Sequence, residues 1–151
     1  MKIKALFPLF FLITSVCTNA QTLKFFQPTV ESMSYLMTHV DTNLWNQKLN
    51  SVGLKVSKEK VENQVEYKKQ ADDIYQYVGY DVVYGVLTVV WKDVSGKKSI
   101  IGDLKKELKG KETSTPSTYK LNYGGVDYVI GMETKKDKGI YEMITMEVER
   151  K

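Results

Sequence analysis

Cysteine and histidine are almost missing from this chain: it has one of each, Cys17 and His39. A single histidine cannot build the usual zinc site, which needs three or four converging ligands. Its nearest acid in sequence, Asp41, is two residues on and would point around a helix to another side. No G-x-S-x-G elbow presents a serine, so a Ser-His-Asp triad has no scaffold here. "YGGVDY" (123–128) lacks the lysine and following helix of a phosphate loop, and no run matches a D-x-[DN]-x-[DN]-G calcium loop. Neither a metal nor an organic cofactor is expected.

Long apolar runs are also scarce. The longest lies in "MKIKALFPLFFLITSVCTNAQT", where Lys2 and Lys4 precede an apolar core from Ala5 to Val16. Thr18 and Ala20 stand at −3 and −1 of a cut before Gln21, the layout of a secretory signal peptide. The run is too short for a bilayer-spanning helix, which needs roughly twenty apolar residues. Residues 1–20 are therefore read as a signal and 21–151 as one exported domain, periplasmic or secreted, with no transmembrane segment after cleavage. Lipoprotein processing at Cys17 is disfavoured by Val16 just upstream. Without Cys17 the exported chain has no disulfide, and its hydrophobic core alone must hold it. About 130 residues suffice for that.

Charge of one sign is lacking too. The chain has 22 basic and 18 acidic residues. Lys2 and Lys4 leave with the signal, so 20 face 18. The signs alternate, as in "KVSKEKVENQVEYKK" and "LKKELKGKE", which marks solvated faces. A nucleic-acid partner would need a one-signed basic patch and is excluded.

What is present is periodicity. Thr29 can cap a helix on which Val30, Met33, Leu36, Met37, Val40 and Leu44 form one stripe. A bend or restart is expected near "DTN" (41–43), and a stop at Gly53. "VENQVEYKK" (61–69) alternates as a half-buried strand, and "QADD" (70–73) makes a turn. "IYQYVGYDVVYGVLTVVW" (74–91) is too long for one strand. It is expected to fold as a hairpin, with strands near 74–78 and 82–92 turning through "GYD" (79–81). The second strand is apolar on both sides and is expected at the sheet's centre.

A second helix is expected over "SIIGDLKKELKG" (99–110), with Ser99 as a possible cap. Three more strands follow, with turns at Gly124–Gly125 and "KKDKG" (135–139). The fold class is thus α+β: an antiparallel sheet with two helices, in an order compatible with a degenerate αβββ-αβββ duplication.

Ten tyrosines offer the remaining functional signal. Tyr75 and Tyr77 share one side of a strand, Tyr84 aligns with Val82 and Val86, and Tyr128 and Tyr141 come from the last hairpin. With Trp91 they are the candidate partner-binding residues, since aromatic rings with polar tips suit contact surfaces. The expected function is an exported, non-catalytic protein-binding module such as an inhibitor, an immunity-type protein or an envelope scaffold. The first alternative is a carrier of an apolar, peptide or glycan ligand in a pocket between sheet and helices, lined by Met33, Met37, Trp45 and tyrosines. The second is a hydrolase, which would require Asp72, Asp73 or Asp81 to converge with Glu133 or Glu142.

Overall fold

A computed structural model describes residues 24–58 and 61–150. The expected signal, its cleavage site and Cys17 lie outside these residues. The chain forms α1 (Val30–Thr38), α2 (Thr42–Asn50), β1 (Lys55–Val56), β2 (Gln64–Ala71), β3 (Ile74–Asp81), β4 (Val86–Asp93), α3 (Gly102–Glu107), β5 (Thr118–Tyr123), β6 (Val126–Asp137) and β7 (Gly139–Val148). The strands make one antiparallel sheet in the order β1-β2-β3-β4-β7-β6-β5. This is an α+β fold. Helix followed by an antiparallel meander occurs twice, first of four strands (β1–β4) and then of three (β5–β7), and the last strands of the two, β4 and β7, meet at the centre.

The first helix stripe is two helices, because the backbone is diverted between them. Thr29 caps α1 in a capping box: its hydroxyl accepts from Ser32 N–H, and the Ser32 hydroxyl accepts from Thr29 N–H. Asp41 then caps α2, accepting from Asn43 N–H at 2.6 Å. Among the described residues three helices stand where two were expected. The chain leaves α2 through Gly53, whose φ of +86° is a left-handed conformation that a side chain would strain.

Several strand boundaries differ from expectation: β2 runs Gln64–Ala71 where 61–69 was expected, so only Asp72 and Asp73 of "QADD" form the turn. The β3–β4 turn lies at Val82–Gly85, not at Gly79–Asp81. The Val-Val pair suggests strand by propensity, but Asp81 governs the site: its carboxylate accepts from Val83 and Tyr84 N–H, both at 2.9 Å. β1 is too short to leave a periodic signal. Strands β6 and β7 run almost to each other, so "KKDKG" is mostly strand. Helix α3 is shorter than expected and has no side-chain cap. The Ser99 hydroxyl instead donates to Glu142 Oε1 at 2.5 Å.

One side of the sheet carries the three described helices. There Tyr67, Val78, Leu87, Val89, Trp91, Tyr128, Ile130, Ile144 and Met146 pack beneath Met33, Leu36, Trp45, Leu49, Leu104 and Leu108. Among the described residues three polar side chains of the strands share this buried layer, each hydrogen-bonded as burial requires. Gln76 exchanges two hydrogen bonds with the Phe26 backbone, at 2.8 and 2.7 Å. Glu142 accepts from Ile100 N–H at 2.8 Å as well as from Ser99. Asp93 accepts from the Ser95 hydroxyl and from the N–H groups of Ser95, Lys97 and Lys98. Gly139 packs directly against this corner, where a Cβ would sit 2.4 Å from the Asp93 carbonyl oxygen.

Candidate surface on the helix-free face of the sheet

Alternation along each strand sends the other half of the side chains to the opposite side, which no described helix covers. The register sets them in four cross-strand rows. The first is Gln70, Tyr75, Lys92, Tyr141 and Lys135; the second is Lys68, Tyr77, Val90, Met143 and Glu133. The third is Glu66, Gly79, Thr88, Thr145, Gly131 and Thr118; the fourth is Gln64, Asp81, Val86, Glu147, Val129 and Lys120. Apart from Lys92, Asp81 and Glu147, the three central strands present aromatic, aliphatic or small residues on this face, and its flanks carry most of the charge.

Those charges are largely neutralised within the chain. Lys68 pairs with Glu66 at 3.2 Å and Lys135 with Glu133 at 2.7 Å, while Lys120 pairs with Glu149. Tyr77 folds over Gly79, and a Cβ at that glycine would fall 2.1 Å from the tyrosine oxygen. The Tyr77 hydroxyl donates to Glu66 Oε1 at 3.2 Å. Burial, the adjacent Glu66 carboxylate and that hydrogen bond all raise the phenol's pKa, so Tyr77 stays neutral well into the alkaline range. The Lys135 ammonium lies 5.9 Å from the Tyr141 ring centre.

Among the described residues, several depressions open on this side. One of about 400 Å³ is lined by Tyr75, Val90, Lys92 and Tyr141 beside the Asp72–Asp73 turn. Others of about 270 and 470 Å³ flank Tyr84, and one of about 720 Å³ lies by Thr118 and Lys120. The β3–β4 turn projects from the end of the face and exposes Val82, Val83 and Tyr84 by 53, 62 and 67%. It is held firmly: Gly85 N–H donates to Asp81 O at 2.8 Å, Val82 N–H to Asn63 O at 2.9 Å, and Arg150 to Tyr84 O at 2.9 Å. Hydrogen bonds from Tyr84 N–H, then Gln64 and Val83 N–H, outweigh desolvation and lower the Asp81 pKa.

The structure divides the six candidate residues. Tyr75, Tyr77 and Tyr141 come together on the helix-free face, and Tyr84 stands at its end. Trp91 and Tyr128 do not join them. By strand parity both point under the helices, where the Trp91 indole donates to Lys98 O at 2.9 Å and the Tyr128 hydroxyl lies 3.1 Å from Ser34 Oγ. Val90, Met143, Thr88, Thr145 and Lys92 belong to the surface as well. Parity from a correctly placed β3–β4 turn would have grouped them.

The alternative sites fare differently. Met33 and Trp45 are fully buried core side chains and Met37 nearly so. Asp72–Asp73 and Asp81 sit at opposite ends of β3, about 25 Å apart at strand rise. Glu133 is on the open face and Glu142 is buried on the other, so the carboxylates do not converge. His39 stacks on Tyr35 at 4.3 Å on the exposed end of α1. Among the described residues no three His, Cys, Asp or Glu side chains are placed to hold a metal ion, and no helix is long and apolar enough to cross a membrane. No protein-family model matches the chain, and neither a curated protein nor a solved structure shows significant similarity to it.

Proposed function

We propose that this is an exported, non-catalytic binding protein whose helix-free sheet face docks against another protein. The observation that carries this reading is the composition of that face. Tyr75, Tyr77, Tyr141, Val90 and Met143 lie together on its three central strands around Lys92, and the flanking charges are paired within the chain. Protein interfaces have this anatomy: Tyr and Met enriched at a centre poor in charge, with a polar rim. The rigid Val82–Tyr84 turn beside the face adds an apolar anchor that is already ordered, which lowers the entropic cost of docking.

The test is capture of a stoichiometric partner from the source organism's envelope or culture medium on the immobilised protein, followed by affinity measurement. Tyr75→Ala and Tyr141→Ala are each expected to weaken binding about tenfold or more, as central aromatic residues do. Tyr123→Ala, on a strand edge away from this face, is expected to leave affinity unchanged. Full affinity in both face variants would remove the surface from consideration.

A further inference from the structure

We infer that one occupant of this face is a second copy of the same chain, packed face to face about a two-fold axis that runs across the strands. This rests on the protein-binding reading above and supplies the identity of a partner. An isologous interface must be complementary to itself, and this face meets that requirement in shape and in charge.

Shape comes first. The row of Tyr77, Val90 and Met143 is bulky, and the neighbouring row of Thr88, Thr145 and Gly131 is low. An axis lying between these rows exchanges them. Val90 and Met143 of each copy then stand over the threonines of the other. Tyr77 already covers Gly79, so the recess that receives them lies over β4, β7 and β6.

Charge follows the same exchange. The two outer rows are also swapped, which brings the row containing Lys92 over the row containing Glu147. Among the described residues these are the lysine and the glutamate of the four rows that have neither an ion-pair nor a hydrogen-bond partner. Lys92 lies on β4 and Glu147 on the adjacent β7, opposite Val86. That is about 4.8 Å across and ~20 Å along the strands. A two-fold operation that exchanges these positions sets the strands of the two copies about 27° apart, close in size to the ≈ 30° of aligned sheet packings. Two Lys92–Glu147 pairs result, one at each end. The six strands that carry the rows span roughly 600 Å² per copy before side-chain relief, near the ≈ 800 Å² of a standard interface.

The experiment is sedimentation equilibrium of the purified protein from about 2 to 200 µM, with two exposed charges reversed singly and together. The wild-type protein is expected to reach the mass of a dimer. Lys92→Glu and Glu147→Lys, each of which turns two attractions into two repulsions, are expected to raise the dimer Kd about tenfold or more. Lys92→Glu/Glu147→Lys together should restore it to within about threefold of wild type. Monomer throughout the range overturns the inference, and so does a dimer indifferent to both reversals. If the protein is monomeric yet captures a different partner through Tyr75 and Tyr141, the self-association fails while the binding face stands.

Discussion

Trp45→Ala is expected to lower the unfolding free energy by about 3–5 kcal/mol, the range for truncating a buried tryptophan. Trp45 joins three elements at once. Its ring lies 5.8 Å from Tyr67 and 6.5 Å from Tyr80 on the sheet. Its indole N–H donates to the Leu36 carbonyl at 3.0 Å, one of the last carbonyls of α1 and therefore short of an intrahelical donor. The substitution opens a cavity and orphans that oxygen. Urea unfolding followed by far-UV circular dichroism measures it, and a loss below about 1 kcal/mol would mean that α2 is not packed on the sheet as described.

The second large effect is at Asp93. Asp93→Ala is expected to cost about 3 kcal/mol, because it strips the acceptor from three backbone N–H groups and one hydroxyl at the corner after β4. Burial pushes the Asp93 pKa up, but these hydrogen bonds together outweigh it and hold the carboxyl below its ordinary range. A carboxyl more acidic when folded than unfolded stabilises the fold fully above its unfolded pKa, near 4. That contribution is lost as pH falls through the lower folded value. Stability measured from pH 6 down to pH 2 should therefore decline below about pH 4 more steeply in the wild type than in Asp93→Asn. Parallel curves would show that the carboxylate is not what holds the corner.

Local chemistry made part of this fold readable in the sequence. Thr29, Asp41 and Gly53 mark the helix ends through their own caps and backbone conformations, and Gly124–Gly125 mark a hairpin through positive φ at both positions. Which side of the sheet the helices cover could not be read, because neither side is uniformly apolar or polar. The covered side holds Gln76, Asp93 and Glu142, and the uncovered side holds Tyr75, Tyr77, Val90 and Met143. A strand apolar on both sides, such as β4, gives no direction of its own. For that reason nothing in the sequence separates Trp91 and Tyr128 from the surface tyrosines. The late β3–β4 turn then disrupted parity around Tyr84, because the Asp81 cap outweighs the strand propensity of Val82 and Val83.

The functional reading stands or falls on whether the helix-free face is covered when the protein is engaged. Hydroxyl-radical footprinting of the captured complex and of the dilute free protein compares the two states residue by residue. Tyr75, Tyr141 and Met143 should lose reactivity severalfold in the complex while Tyr123 keeps it. Unchanged reactivity at those three, with protection on the helical side of the sheet instead, would contradict the assignment of this face as the site of recognition.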